Sequence, residues 1–337
     1  MPAFAGTAWS HVRRQVTARW EAIDPLLPPP SAPPGCGTEL VVKGAGKQPT
    51  AIGTCGHWQG RPGSIDLTWG PSRRFRLSPL TAGPDVAVSL DGLLSQWRDH
   101  LAGVPEAAED DTAAIVTWPS RDIEGATTLL RHGLVPLTVI AARVPGGHSS
   151  NGTSAADPAL AGTALASASV GAQPPVRLRR AGPADIAAVV SLGLEIVRFD
   201  AHFGTVVERP ETADALGREA ARLLRGQKPW TWLAERDGVP VGIAAAERPE
   251  RARWIAPMVR PAPVAYLGQM FVAPGERGRG LGAALAGQAH SEIDAAGVSV
   301  TLLHYEQLNP LSGPFWSRRG YRPLWTIWEA RPARALS

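Results

Sequence analysis

The chain has 337 residues, a net charge of +4, and 44% hydrophobic against 19% charged residues. That length suits two domains of ordinary size, and the balance excludes a disordered chain. The positive charge is spread along the sequence rather than gathered in one basic run, which argues against a nucleic-acid binder and suits a protein that holds a small polyanionic ligand.

From the N-terminus, Met1 to Ser10 has no apolar core followed by a small-residue cleavage site, so no secretory signal is expected. No run approaches the ~18 apolar residues of a spanning helix, so no membrane partner is expected. Cys36 and Cys55 are the only cysteines. They can build neither a disulfide framework nor a zinc spacing, and two reduced thiols in a cytoplasmic protein without a metal are the expectation. Arginine outnumbers lysine 31 to 3, which reads as the codon bias of a GC-rich genome.

The first part, residues 1–144, carries a strand at Ala113 to Trp118, then a short helical piece, then RHGLVPLTVI at 131–140. From Pro145 to Pro175 the chain holds one charged residue, Asp157, and almost no periodicity, the composition of a flexible linker. The second part, residues 176–337, opens with a strand at Val176 to Arg180 that alternates apolar and polar. Pro183 then starts a helix with Asp185 in its first turn, and Ile186, Val189, Val190 and Val197 follow at helical spacing. A second helix runs from Glu211 to Leu224. Trp230 to Glu235 and Val239 to Ala246 read as strands joined by a turn through Asp237-Gly238, and Ala265 to Val272 as a third. A helix from about Gly282 to Ala296 repeats Leu281, Leu285, Ala289 and Ile293 every four residues and stops at Gly297. A strand from Val298 to Glu306, a short helix from Leu311 to Arg319 and a strand from Tyr321 to Glu329 complete the order β-α-α-β-β-β-α-β-α-β.

The first part reads as a worn copy of the second. RHGLVPLTVI (131–140) aligns with RRGYRPLWTI (318–327) at five of ten positions, and each follows a strand and a short helix.

The chemistry is expected between Met270 and Ala283. The strand ending Met270, Phe271 and Val272 runs into GERGRGLG (275–282) and then a helix. Gly278, Gly280 and Gly282 let the backbone approach a ligand and adopt positive φ. Successive N–H groups and the helix dipole favour an anion, and Arg277 and Arg279 add forked donors. A Walker loop needs Gly-Lys-Ser/Thr, which is absent. A dinucleotide loop would follow the first strand of its unit, whereas this one follows at least four. The remaining pattern is a coenzyme A loop, Arg/Gln-x-x-Gly-x-Gly/Ala, which Arg277 to Gly282 fits. The matching stretch of the first part, TAGPDVAVSLDGLL (81–94), places a negative charge where a phosphate needs a positive one, so one cofactor site is expected.

In motif, element order and position, residues 176–332 resemble the GNAT superfamily of N-acetyltransferases, and the whole chain resembles a tandem member with a degenerate N-terminal half. The resemblance implies an α/β fold of two GNAT-like domains, each a mixed, mainly antiparallel sheet flanked by helices. It implies acetyl transfer from acetyl-CoA to a primary amine of a small molecule in a ternary complex. A homodimer is compatible with it. It also implies that Met270, Phe271 and Val272 hold the pantetheine arm and thioester, that residues 277–283 (Arg277, Gly278, Arg279, Gly280, Leu281, Gly282, Ala283) hold the pyrophosphate, and that Asn309 contacts the cofactor. Where the family often has a tyrosine to protonate the leaving thiolate, this chain has Trp316, whose indole is no usable acid. Tyr305 is the first substitute. His304 and Glu306 share one strand face and are the candidate bases, with His304 favoured by its intrinsic pKa. Asp200 and His202 are candidates to hold a cationic amine, and Gln269 to orient it. Two other readings stand beside the enzyme. One is a catalytically idle acyl-CoA sensor, kept open by Trp316. The other is a tandem transferase like mycothiol synthase, from whose expected pattern the segment 309–316 departs.

Overall fold

A computed structural model describes residues 7–31, 37–44, 46, 48–146 and 175–337. Cys36 and all of the expected linker except Pro145, Gly146 and Pro175 lie outside the described residues.

The first half runs α1 (Thr7–Ile23), β1 (Thr38–Lys43), β2 (Pro49–Gln59), β3 (Arg73–Thr81), α2 (Val86–Ala102), β4 (Thr112–Pro119), α3 (Ile123–Arg131) and β5 (Val135–Arg143). The second runs β6 (Arg177–Arg180), α4 (Ile186–Ala201), α5 (Thr212–Leu223), β7 (Thr231–Arg236), β8 (Val239–Glu247), β9 (Val264–Val272), α6 (Leu281–Ala295), β10 (Val300–Glu306), α7 (Ser312–Ser317) and β11 (Arg322–Ala330). The order expected for the second half holds, with ends displaced by a residue or two. Its local signals have physical counterparts. Asp237 and Gly238 both take positive φ, 50° and 77°, as a two-residue hairpin turn requires. Leu281, Leu285, Ala289 and Ile293 are the buried stripe of α6.

All eleven strands form one sheet in the order β1-β2-β3-β4-β11-β5-β10-β9-β8-β7-β6. At its centre the halves exchange their last strands. β11 pairs antiparallel with β4 and β5, and β5 pairs antiparallel with β10. Two sheets, one per half, are therefore fused through a seam. The sequence repeat supplies the two exchanged strands, and they pair with each other antiparallel, as copies related by a local twofold would.

Helices cover both faces. α2 packs on the first half through Leu90, Leu93, Leu94 and Trp97, and α6 covers the same face of the second. On the opposite face α1 packs on β2 and β3 and reaches the seam where Trp20 meets Trp325 edge-on, while α4 and α5 cover β7 to β9. Trp325 and Trp328 are buried in the seam, and the Trp325 indole donates to the Met258 carbonyl at 2.7 Å. Both serve packing rather than the cleft described next.

The halves differ where one parallel strand pair meets its helix. In the first half β3 and β4 pair from Arg73↔Thr112 to Leu77↔Val116. In the second, β9 and β10 pair only from Val264↔Val300 to Tyr266↔Leu302. A bulge at Gly268 on the β8 side, where Gln269 faces Ala245 but Leu267 faces Ala246, bends β9 at the point of parting. The helix heads differ as well. Asp85 caps α2 by accepting the Val88 N–H at 2.9 Å, so this chain's own carboxylate occupies that anion position. α6 starts at Gly280, with no side-chain cap and no acid in its first turn.

Candidate functional site

The parting of β9 and β10 opens a cleft of about 590 Å³. Because the strands separate, residues from both faces of β10 reach it: His304 and Glu306 from the α4 side, Tyr305 from the α6 side. Ile196, Phe199 and Asp200 of α4 form one wall. Leu267, Gly268, Met270, Phe271 and Val272 of β9 form another, and Gly278, Gly280, Leu281, Gly282 and Ala283 close one end.

The glycine loop has the geometry an anion cradle needs. Gly278 and Gly280 take φ of 77° and 79°, and a Cβ at either would point into open space. Side chains there would be strained by about 1–2 kcal/mol and would fill the approach to the α6 amides. At Gly282 a Cβ would come within 3.1 Å of the Phe315 ring, so that glycine serves close packing. The residues present thus fit a pyrophosphate: free helix-head amides, no capping acid and a cleft of ligand size.

The two loop arginines part company. Arg277 folds back, its Nε donating to the Val272 carbonyl at 2.9 Å, and its guanidinium packs over Phe199 and Phe271 at 4.8 and 5.6 Å. Arg279 lies outside the cleft lining. It is 51% exposed and meets the Glu276 carboxylate at 3.9 Å. Of the two arginines expected to help hold the pyrophosphate, Arg277 lines the cleft and Arg279 does not, because its side chain leaves the loop toward solvent. Glu276 also lines the cleft. Its hydrogen bonds with Arg236, at 2.7 and 2.8 Å, hold its pKa below the usual carboxylate range.

His304 is half-buried. Its Nδ1 lies 3.0 Å from the Tyr266 hydroxyl, and its ring is parallel to Trp254, interplanar angle 8°. This packing strips water from the imidazolium and pushes its pKa down to about 4. Preference for His304 on intrinsic pKa is therefore corrected: at neutral pH it is a neutral imidazole of weakened basicity. Glu306 moves the opposite way. Burial, with smaller contributions from the Asp200 and Glu329 carboxylates, raises it to about 8. Thr138 of β5 donates its hydroxyl to Glu306 Oε2 at 3.4 Å. Asp200 is raised by burial to about 6, partly offset by a hydrogen bond from Asn309.

Asn309 is buried. Besides bonding Asp200, it accepts the Leu311 N–H at 3.0 Å, so its amide organises the cleft wall. Trp316 is buried, lines the cleft and packs edge-on to Phe315 and Tyr321. Tyr305 is half-buried in the same cleft, and burial raises its pKa.

Two expected substrate contacts lie elsewhere. His202 is exposed past the end of α4, with Nδ1 2.8 Å from the Arg198 carbonyl, so it finishes the helix instead of facing the cleft. Gln269 is outside the lining, although Gly268 and Met270 on either side of it are in it. Arg318, Arg319, Phe315 and Phe199 line the cleft without having been singled out. The Arg318-Arg319 pair was visible in the sequence, but only as part of the repeat.

A cleft between parted parallel strands, closed by an uncapped glycine-rich helix head, defines a site for a small ligand with an anionic end. Residues 199–321 match the family described as Acetyltransferase (GNAT) family, so the second half carries a GNAT acetyltransferase domain and the protein is an N-acetyltransferase with acetyl-CoA as cosubstrate. No curated protein matches the chain in sequence. Among solved structures, a GCN5-related N-acetyltransferase from Sphaerobacter thermophilus is 15% identical, with 98% of this chain and 95% of that one covered at a TM-score of 0.54, which shows the same fold across both halves. A GCN5-related N-acetyltransferase from Kribbella flavida is 16% identical, covering 97% and 95%, at 0.41. A tandem GNAT protein from the clavulanic acid biosynthesis pathway is 15% identical, covering 97% and 94%, at 0.42. Among the described residues no helix is long and apolar enough to cross a membrane.

Proposed function

We propose that the second half transfers an acetyl group from acetyl-CoA to a primary amine of a small molecule in a ternary complex, with Glu306 as general base. One observation carries this reading: the glycine loop, Tyr305 and Glu306 all open on the same cleft. Acetyl-CoA supplies the thioester whose acyl carbon the amine attacks. Gly278, Gly280, Leu281, Gly282 and Ala283 at the α6 head bind its pyrophosphate, and β9 from Met270 to Val272 lies along its arm. Glu306 takes the proton that the amine must lose, and its raised basicity suits that task. Tyr305 donates its phenolic proton to the departing sulfur, the role Trp316 cannot fill. His304, held by Tyr266 and Trp254, shapes the amine side of the cleft.

The first half, residues 1–144, is read as a scaffold without a cofactor loop, divided from the catalytic half, 176–337, by the segment 145–175. Asp85 at the α2 head supports that division of labour. The test is thiol release from acetyl-CoA across a panel of amines, polyamines, amino acids, aminoglycosides and peptides. Steady release with at least one amine supports the enzyme and excludes an idle sensor. Binding of acetyl-CoA without release for any amine overturns the proposal.

A further inference from the structure

The following rests on the acetyltransferase reading and adds the class of acceptor. Asp200, at the end of α4, and Glu306, at the end of β10, line the same cleft. Among the described residues neither forms an ion pair, in a chain with 31 arginines. Other half-buried or buried carboxylates do find one: Asp185 and Glu235 meet Arg179, Glu276 meets Arg236, and Glu329 meets Arg331. Asp200 instead receives a neutral donor from Asn309, and Glu306 receives neutral donors from Thr205 and Thr138. The cleft arginine nearest to α4, Arg277, is engaged with the Val272 carbonyl and with two phenyl rings.

Carboxylates drawn out of water without a cation are costly, and proteins pair them unless something else arrives to do so. The consequence is visible in both groups, which hold their protons to about 6 and about 8. One such group is accounted for, since an attacking amine needs a single base. A monoamine brings one positive charge and gives its proton to Glu306, which leaves Asp200 without a counter-charge. Ile196, Phe199 and Leu267 supply an apolar track for a short hydrocarbon chain alongside.

We propose that the acceptor is a small amine with at least two positively charged nitrogens, the reacting one served by Glu306 and the second paired with Asp200. Acetylation turns the first into an amide and leaves the second charged. The reacting nitrogen gives up one proton to water on entering the cleft and attacks as the free amine. The nitrogen–carbon bond then forms, the carbon–sulfur bond breaks, its second proton passes to Glu306, and Tyr305 protonates the thiolate.

The experiment compares kcat/KM for thiol release with putrescine and cadaverine against n-butylamine and n-pentylamine, in the full-length protein and in Asp200→Asn, which preserves size and hydrogen bonding to Asn309. A fully formed charge pair in a desolvated cleft predicts at least about tenfold preference for the diamines, and a fall of that ratio by about tenfold in Asp200→Asn. Diamine and monoamine turned over alike by the wild type, or a ratio that Asp200→Asn leaves unmoved, would overturn the inference while sparing the acetyltransferase reading. Absence of release with every amine would overturn that reading, and this one with it.

Discussion

Thr138, on the last strand of the first half, donates its hydroxyl to the carboxylate of Glu306, on the strand that flanks the cleft of the second, at 3.4 Å. The contact exists because β5 lies against β10, with Thr138 paired to Glu306 across the ladder. The first half thereby reaches the group proposed as the general base of the second.

Thr138→Val removes a donor that favours the charged form of Glu306. The ascending limb of the pH–rate profile is expected to move upward by up to about one unit. A profile that stays in place would show that the contact has no bearing on the base.

Glu306→Gln is expected to lower kcat by about a hundredfold or more, the usual cost of losing a general base. The base works deprotonated, so wild-type activity should rise as pH passes through about 8, and the variant should lack that limb. Stability gives an independent check. The folded-state pKa lies above the ordinary value of 4.5, so the fit of the neutral carboxyl is fully present below 4.5 and lost as pH rises through about 8. Measured by thermal unfolding, Glu306→Gln should gain on wild type at pH 9 relative to pH 5. An unchanged difference between the two would refute the assigned ionisation.

At the α6 head, Gly280→Asp places a carboxylate at the proposed phosphate site and forces a side chain into φ of 79°. Acetyl-CoA binding, followed by calorimetry, is expected to vanish while circular dichroism remains native. The counterpart Asp85→Ala should cost about 1 kcal/mol of stability through the lost cap and leave acetyl-CoA binding unaltered. Retained binding in Gly280→Asp would remove the loop from the site.

Residues 176–337 expressed alone would lack β5, leaving β10 and β11 without the strand between them and exposing buried seam residues such as Trp325. The expected result is aggregation, with a monodisperse species recovered on co-expression of residues 1–144. A soluble, active 176–337 monomer on gel filtration would contradict the exchanged seam as a structural requirement.

Tyr305→Phe leaves the ring and deletes the acid. A drop in kcat of about tenfold or more is expected, with little change in KM for acetyl-CoA. Equal kcat would return the protonation of sulfur to solvent.

Much of the second half was legible because its signals are local. Positive φ at Gly278 and Gly280, the four-residue stripe of α6 and the Asp237-Gly238 turn are properties of a few consecutive residues. The alternation of His304, Tyr305 and Glu306 was legible for the same reason. His202 and Gln269 were misplaced because sequence gives their neighbours along the chain, whereas their direction depends on where α4 ends and how β9 bulges. The preference for His304 over Glu306 failed on environment. Intrinsic pKa belongs to the residue, but water removed by Trp254 and Tyr266 belongs to the packing.

The sequence by itself determined the element order, the repeat and the glycine loop, since each is written in residues adjacent or evenly spaced along the chain. Only the tertiary structure decided which strand lies beside which. It sent β5 and β11 across the seam, ended the pairing of β9 with β10 at Tyr266 and Leu302, and brought Asp200 and Glu306 to one cleft. Those outcomes depend on backbone hydrogen bonds and burial between residues far apart in the chain, and no short stretch of sequence encodes them.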